Sequence, residues 1–317
     1  MPQPSQTQVH AVDFPLSNMS LAIIQDDAIY GVSRRIFPVV TVPNQSNKYY
    51  VWTQADFFRS DATKRGPNSE SGGSGLNLST DSYFCDVWAA HMDIDHITMA
   101  NADAGIDLER GAVAKVTRDI LIREDQDWAA TFFVTGVWNS SAAPALTWDL
   151  VNSTPIEDIR GRYYTIAQNT GQLANSLVLG ANTYKRLQDH PDILDRIKYT
   201  QRAVVTQELI GSILDVANVY VLFGVRNTAI EGATASFSFN AGNHALLCYS
   251  APAPALYQAS AGYTFFWSGL TGNQFPIAIS RFYIDKTKST RIEGETNFGY
   301  KVVSTLLGEM LLNAVAS

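Results

Sequence analysis

The sequence predicts an α+β protein whose parts extend beyond one compact core. The first indication is an aromatic β-hairpin with a long polar tip over residues 45–90, followed by a long amphipathic helix. The second is the alternation of apolar strands with helices over residues 176–249, which is typical of a sheet with helices packed on it. The formal net charge of -7 disfavours a general nucleic-acid binder, since such proteins carry a basic surface.

The composition is that of an ordered chain, with 46% hydrophobic and 17% charged residues. A length of 317 residues predicts one or two compact lobes. No apolar run approaches the roughly 18 residues of a membrane span, and we recognise no signal peptide. Cys85 and Cys248 lie far apart and outside any metal or redox motif, so we expect buried, reduced thiols.

The N-terminal residues 1–44 are predicted to form an extended arm with one short ordered turn. Within it, Pro38 and Pro43 frame the apolar run 39–42. Proline inside a sheet is confined to edges, so this run is expected to be an edge strand.

Residues 45–90 are predicted to form an extended hairpin loop. Its flanks are aromatic and β-branched, and residues 65–75 at its tip are mostly Gly, Ser, Pro and Asn. A lone hairpin is marginally stable in water, and this one carries three Tyr, two Trp and three Phe, so we expect it to lie on a neighbouring subunit. The candidate subunit-contact residues are Tyr49, Tyr50, Trp52, Lys64, Arg65 and Trp88.

The charged pair at the tip, Lys64 and Arg65, has two interpretations. One is plain solubility, and the other is a charged contact with an acidic patch on the next subunit.

A long helix is predicted to begin after an N-cap at Asp103 or Asp107 and to run to about Thr131. Its apolar residues recur at helical spacing and comprise Val113, Val116, Ile120, Leu121 and Trp128. The helix is either a core helix or a strut that links the hairpin to the rest of the subunit. Residues 136–155, with two prolines, are expected to be a loop at a lobe boundary.

The second half of the chain is predicted to contain an α/β lobe and a final set of strands. The lobe has strands at 176–180, 219–223 and 244–249, and helices at 181–197, broken at Pro191, and 207–214. Long charged-face strands are expected over 279–303, followed by an apolar end.

No Asp, Glu, Lys or Arg occurs between Glu231 and Arg281. Such a run fits buried strands with neutral loops. It also fits loops that meet copies of themselves around a symmetry axis, where like charges would repel.

Motifs for catalysis are missing from the sequence. We find no Walker A loop, dinucleotide-binding glycine pattern or nucleophile elbow. His91, Asp93 and Asp95 would share one face of a strand and, with His96, are a candidate metal site. The alternative is a solvated charged segment between the hairpin and the helix. We expect no catalytic residue, no cofactor and no metal ion.

The order of these parts resembles the major capsid proteins of tailed phages, which have the Hong Kong 97-type fold. Local matches occur throughout the chain, at 124–130, 175–180, 216–221, 244–249 and 291–303. The resemblance implies five parts: an N-terminal arm at 1–44, an extended loop at 45–90, a peripheral domain with a spine helix at 91–159, an α/β axial domain at 160–280, and a return to the peripheral domain at 281–317.

The resemblance implies a non-enzymatic shell subunit that self-assembles, as hexamers and pentamers, into the icosahedral capsid around packaged double-stranded DNA. Implied partners are other copies of the chain, a portal protein, a separate scaffolding protein, and DNA bound without sequence specificity; no membrane is implied. A decoration protein, and crosslinks through Lys48 or Lys64, are left open. The implied location is the virion, after synthesis in the host cytoplasm. The alternatives are an encapsulin-like compartment shell and an α/β enzyme with a hairpin lid.

Overall fold

The computed structural model describes residues 14–26, 29–52, 59–73, 75, 78–102, 107–198, 205–230, 232–254, 258, 260–271 and 276–316. The α-helices in these ranges are α1 Phe14–Asp26, α2 Ser33–Ile36, α3 His96–Ala100, α4 Leu108–Phe132, α5 Pro155–Thr170, α6 Ala181–Gln188, α7 Pro191–Ile197, α8 Gln207–Leu214 and α9 Ser268–Thr271. The strands are β1 Val39–Val42, β2 Ser46–Trp52, β3 Leu78–Phe84, β4 Asp86–Asp95, β5 Ser140–Ala142, β6 Ser176–Gly180, β7 Asn218–Leu222, β8 Val225–Asn227, β9 Phe237–Phe239, β10 Ala245–Cys248, β11 Gly262–Trp267, β12 Ala278–Ile284, β13 Ser289–Val302 and β14 Gly308–Leu311.

The long strand β13 organises the first sheet. Its first half lies between β4 and β12, and both pairs are antiparallel. Its end pairs with β11, and β1 runs parallel to β11 at the edge of the sheet. The edge position of β1 is the one that its flanking prolines predict.

The helix α4 lies across this sheet and has the predicted position. Its N-cap is Asp107, whose carboxylate accepts a hydrogen bond from Arg110 N at 3.0 Å. Asp103, the other candidate cap, lies outside the described residues. The whole predicted apolar stripe is buried. With 25 residues the helix is about 37 Å long, at 1.5 Å per residue. It is the helix that the resemblance implies as the spine, and we call it the spine helix.

The second sheet has the order β5-β14-β10-β6-β7. Its strands β6, β7 and β10, and the helices α6, α7 and α8, occupy the positions predicted for the α/β lobe, with Pro191 at the start of α7. Helix α5 has no counterpart among the elements predicted from the sequence. This helix contributes Ile156, Ile159 and Ile166 to the core beside the sheet.

The last strand lies in a different sheet from the one expected for the chain end. Residues 281–317 were expected to return together to the peripheral domain, and β12 and β13 do lie in the first sheet. However, β14 pairs with β10 and β5 in the second sheet. Arg162 on α5 reinforces this position, because its guanidinium lies 3.1 Å from the buried carboxylate of Glu309.

The expectation of an extended N-terminal arm with one turn is wrong for residues 14–26, which form the helix α1. Its apolar residues Leu16, Met19, Ile23 and Ile24 pack on the core between α4 and the first sheet. Ser17 Oγ accepts a hydrogen bond from Ile279 N at 3.0 Å, at the edge of β12. The helix therefore forms because it covers apolar surface. None of the described helices is long and apolar enough to cross a lipid bilayer.

Candidate subunit-contact surfaces

The predicted hairpin is formed by β2 and β3, which pair from Ser46–Phe84 at the base to Trp52–Leu78 at the outer end. We call β2, β3 and the described residues between them the arm. The arm ends at Cys85, because β4 begins at the next residue and pairs with β13 instead. The arm is therefore a strand pair outside both main sheets.

One face of the arm is anchored on the first sheet at its base. The ring of Tyr83 stacks on Phe265 with 4.6 Å between ring centroids, and the ring of Tyr49 lies 5.5 Å from Phe265. Val42 and the thiol of Cys85 complete this buried cluster. Aromatic pairs of this kind stabilise beyond the area that they bury, so the base is held firmly.

A polar contact supports the same face. Tyr49 Oη donates a hydrogen bond to Asp81 Oδ2 at 3.1 Å, and Lys301 Nζ lies 3.3 Å from that oxygen. Burial tends to raise the pKa of Asp81, but hydrogen bonds from Ser82 N, Lys301 and Tyr49 outweigh it and lower the pKa. Burial and the neighbouring Asp81 raise the pKa of Tyr49.

The opposite face and the tip of the arm are exposed. Tyr50 and Phe84 are 57% and 56% exposed. Lys64 and Arg65 at the tip are also exposed, and Arg65 Nε donates to Ser69 O at 2.6 Å. The tip thus presents its positive charge from a hydrogen-bonded turn, and the outer face presents aromatic surface that the subunit does not use.

The predicted contact residues therefore separate into groups. Tyr50, Lys64 and Arg65 are exposed on the arm, whereas Tyr49 belongs to the anchored face. Trp52 ends β2 opposite Leu78.

Trp88 is half-buried and lies on β4, outside the arm. The Arg123 guanidinium is 4.2 Å from the centre of the Trp88 ring, and Phe298 stacks on it at 6.2 Å. Trp88 therefore joins the spine helix to the first sheet within one subunit.

Three of the four candidate metal residues, Asp93, Asp95 and His96, are engaged in other contacts, and His91 is exposed on β4. Asp93 accepts two hydrogen bonds of 2.7 Å from Arg291, which lower the pKa of its carboxyl group. Asp95 caps α3 by accepting from Ile97 N, and His96 Nδ1 lies 3.0 Å from Lys288 O. In the described part of the chain, no three His, Cys, Asp or Glu side chains are grouped to hold a metal ion.

One buried serine–histidine contact has a structural explanation. Ser153 Oγ lies 2.9 Å from His190 Nε2, and His190 Nδ1 accepts from Asp192 N at the start of α7. Both side chains are buried, and Ser153 Oγ donates to Leu150 O. The pair connects a loop to a helix N-terminus, and within the described part of the chain no carboxylate orients the imidazole as a catalytic base.

A second exposed hairpin is formed by β8 and β9, which pair from Val225–Phe239 to Asn227–Phe237. Ile230 and Phe237 are 82% and 72% exposed. We call residues 224–240, as far as they are described, the short hairpin. Its second strand lies in the charge-free run, so this run is not simply buried strands.

The acidic segment near the end of α4 holds buried charges that the sequence analysis did not assign. Arg34 Nε donates to Glu124 Oε2 at 2.6 Å, and Glu124 is almost fully buried. Asp125 accepts from the backbone of Gly31 and Ser33. Burial raises the pKa of Asp125 to about 6. No local signal indicates these contacts, because the partners lie about 90 residues away in the chain.

Comparison with known sequences gives a capsid relative. Over 220 residues the chain is 24% identical to a protein named major capsid protein of Burkholderia phage BcepMu, covering 68% of this chain and 70% of the relative. The sequence matches no established protein-family profile.

Solved structures share the fold over almost the whole chain. A phage-related protein from Bordetella bronchiseptica RB50 superposes with a TM-score of 0.73 at 22% identity, covering 97% of this chain and 99% of that one. The virus-like particle from Pyrococcus furiosus gives a TM-score of 0.57 at 10% identity, covering 94% and 97%. The capsid structure of cyanophage P-SCSP1u gives 0.54 at 11%, covering 98% and 92%. The α+β fold is therefore that of the Hong Kong 97-type capsid proteins, and the predicted fold class and resemblance are confirmed.

Proposed function

We propose that copies of this chain assemble into the closed icosahedral head of a tailed phage, around packaged double-stranded DNA. The arm carries the proposal. Its base is anchored on the subunit by Tyr83 and Phe265, while its aromatic outer face and basic tip are exposed. A strand pair with apolar surface on its free side is stabilised by covering another surface, and a neighbouring copy provides one. The capsid relative and the shared fold support the same assignment.

In such a shell the parts of the subunit take distinct places. Residues 1–44 form the N-terminal segment, 45–90 the extended loop, and 91–159 the peripheral domain with the spine helix. Residues 160–280 form the axial domain except for β11, which pairs with β13 in the first sheet, and the chain then returns to the peripheral domain through β12 and β13. We assign β14 and β5 to the axial domain, because β14 pairs with β10 and β5 pairs with β14.

Two surfaces would then contact other copies. The outer face of the arm, with Tyr50, would lie on a neighbour, and Lys64 and Arg65 would meet acidic groups there. The short hairpin would face the five- and six-fold axes. Its exposed Ile230 and Phe237 are apolar and its strand β9 carries no charge, so identical copies would meet through β9 and Ile230 and not through β8, which carries Arg226.

The subunit has a structural role in this proposal and catalyses no reaction. Besides itself it would need a separate scaffolding protein and a portal protein, and it would enclose DNA without reading its sequence. The net charge of -7 suits a shell that does not bind the packaged DNA tightly. The mature location would be the virion, after synthesis in the host cytoplasm.

Electron microscopy of the purified full-length protein, with light scattering for size, tests the proposal. We expect rings of five or six subunits or closed shells, either alone or after co-expression with the scaffolding protein of the same phage. The double variant Lys64→Glu/Arg65→Glu should reduce assembly, whereas Lys185→Glu/Lys198→Glu, at two exposed positions on α6 and just after α7, changes the net charge by the same amount and is the matched control. A protein that stays monomeric with the scaffold present would contradict the proposal.

A compartment shell of the encapsulin type is the second candidate. The observation in its favour is that the Pyrococcus furiosus virus-like particle has the same fold. The contents of particles from the native source distinguish the two, because a phage head holds double-stranded DNA protected from nuclease, and a compartment holds a cargo protein.

A further inference from the structure

A single buried carboxylate on the spine helix holds the segment that follows α1. Asp125 Oδ2 accepts a hydrogen bond from Gly31 N at 3.0 Å, and its Oδ1 accepts one from Ser33 N at 3.2 Å. The side chain is almost fully buried. Each oxygen of the carboxylate therefore binds the backbone of residues 29–33, which we call the N-terminal connector.

The connector turns tightly against the helix at Gly31. This residue has φ +71°, and a Cβ atom there would lie 3.1 Å from Leu121 Cδ2. Glycine is the residue that adopts this conformation without strain, so the turn and the contact with α4 depend on each other.

The short hairpin meets the same carboxylate. Tyr30 Oη donates a hydrogen bond to Val225 O at 3.2 Å, which ties the connector to β8. A Cβ atom at Gly224 would lie 3.4 Å from Asp125 Oδ2 and 3.5 Å from Tyr30 Cδ1. The base of the short hairpin therefore packs directly on both Asp125 and the connector.

We call the place where Asp125, the connector and the base of the short hairpin meet the junction. Its hydrogen bonding is incomplete in the isolated subunit. Asn240 N donates to Gly224 O at 2.8 Å and closes the short hairpin. The Nδ2 and Oδ1 atoms of the Asn240 side chain are buried, and neither has a hydrogen-bond partner among the described residues. A buried amide without partners is costly, and small movements of the hairpin relative to Asp125 change which groups it reaches.

Other ionisable groups lie near the carboxylate and the connector. Glu124 precedes it on the helix and is paired with Arg34 of α2, while Tyr300 Oη of β13 lies 3.4 Å from Glu124 O. Arg118 lies over the Tyr30 ring at 5.8 Å. Because burial raises the pKa of Asp125, ionisation is unfavourable here, and the connections that the carboxylate makes must offset this cost.

We infer that Asp125 is a coupling residue that holds the N-terminal connector and the short hairpin as one unit, so that releasing the connector from α4 loosens the hairpin. The coupling is a property of the single subunit. Its consequence for a shell rests on the proposed function: an N-terminal segment held elsewhere by a partner would leave the ring-facing hairpin less ordered, and docking the segment would order it.

Hydrogen–deuterium exchange with mass spectrometry on the dispersed full-length subunit tests the coupling. Tyr30→Phe removes the bond to Val225 O and leaves the Asp125 carboxylate intact. We expect faster exchange in peptides covering the short hairpin and also at the Gly31 and Ser33 amides. The loss of one hydrogen bond predicts about a fivefold change in local opening.

A second variant changes the junction on the side of α4. Asp125→Asn replaces one acceptor oxygen by a donor, so one of the two backbone N–H groups loses its acceptor. Exchange in both the connector and the short hairpin should rise, while exchange in β6 and β10 should stay within twofold of the wild type. Tyr164→Phe, on the exposed face of α5, is the matched control and should change neither segment.

Several results would overturn the inference. Unchanged exchange of the short hairpin in Tyr30→Phe is one, and faster exchange in the connector alone is another. An equal rise in β6 and β10 would indicate general destabilisation instead of coupling. If Asp125→Asn fails to fold, the comparison of Tyr30→Phe with the control Tyr164→Phe still tests the coupling. Since this readout needs no assembly, failure of the wild type to form shells would count against the proposed function and not against the coupling.

Discussion

Two hairpins project from the subunit, and they are attached in different ways. The arm stands on a stack of aromatic rings, with Tyr83 on Phe265, and Lys301 of β13 supports it further along at Asp81. The short hairpin is held at a polar junction, where the connector and the Asp125 carboxylate meet its base. Apolar contact fixes the first, and a few directional hydrogen bonds fix the second.

The difference predicts how each hairpin responds to change. Aromatic packing is insensitive to pH and is weakened by loss of volume, so at pH 5 to 7 the arm should remain attached unless its ring cluster is damaged. Hydrogen bonds to one buried carboxylate depend on its charge and on the position of each donor. The short hairpin is therefore the part that other segments of the chain can adjust.

The largest effect is expected from Phe265→Ala. Phe265 is buried between Tyr83 and Tyr49, and truncating such a side chain costs about 3–5 kcal/mol because the cavity is only partly refilled. Urea unfolding of the dispersed subunit should report this loss. Hydrogen exchange should rise first in β2 and β3 and less in the short hairpin.

The control for this variant is Phe84→Ala. Phe84 lies on the same hairpin but is 56% exposed, so the free energy of unfolding should change by no more than about 0.5 kcal/mol. Equal losses for the two variants would mean that the ring cluster does not anchor the arm.

A matched pair of glycine-to-alanine substitutions compares the base of the arm with the base of the short hairpin. A Cβ atom at Gly299 would lie 2.1 Å from the backbone atom Phe84 O, whereas one at Gly224 would first meet Asn240 Nδ2, at 2.8 Å. The backbone cannot yield as a side-chain amide can, so Gly299→Ala should cost about 3 kcal/mol and Gly224→Ala about 1 kcal/mol. Thermal unfolding of both variants under one condition checks the order, and the reverse order would contradict this account of the two bases.

The arm and the spine helix could be predicted from sequence because their signals are local. Alternating aromatic and β-branched residues specify β2 and β3, and the spacing of Val113, Val116 and Ile120 specifies a helix wherever it packs. The anchored face of the arm could not be separated from its free face, because the ring opposite Tyr83 is Phe265, far along the chain.

Neither the junction nor the N-terminal helix could be predicted from the sequence, because their contacts join residues that are far apart in the chain. Ser17 of α1 bonds Ile279, 262 residues away, and Asp125 bonds Gly31, 94 residues away. Helix α1 has few charges and short polar residues that also suit turns, so its sequence suggested an irregular arm. Packing against β12 and α4 is what makes this segment a helix instead of an irregular arm.

The stability of the two hairpins should also respond to pH in opposite directions. The pKa of Asp125 is raised by burial to about 6, so the folded subunit binds an extra proton below that pH. Unlike the amide in Asp125→Asn, the protonated carboxyl keeps both oxygens as acceptors for Gly31 N and Ser33 N. Stability at the junction should rise as pH falls from 7 to 5 and be lost as pH rises through about 6. Glu124, Arg34 and Tyr300 interact electrostatically with Asp125, and the charge of Glu124 adds to the rise in its pKa.

At the arm, the lowered pKa of Asp81 has the other sign. Its contribution is present above the ordinary carboxyl pKa of 3.8 and is lost as pH falls below it. Hydrogen exchange, corrected for the intrinsic pH dependence, should slow in the short hairpin between pH 7 and 5 and quicken in the arm only below pH 4. A junction that loosens between pH 7 and 5 would contradict the assigned charge state, and Asp125→Asn should abolish the change.

The smallest effect on the subunit itself is expected at the exposed tip of the short hairpin. Ile230 is 82% exposed, so Ile230→Ser should change the free energy of unfolding by no more than about 0.5 kcal/mol. If copies of this tip meet around an axis, the same change removes apolar surface from every contact in the ring, and small losses add over five or six copies. We therefore expect fewer closed rings by electron microscopy with no change in thermal unfolding. Val151→Ser, at an equally exposed position in the loop before α5, is the matched control, and an equal loss of rings in both variants would argue against an axial place for the short hairpin.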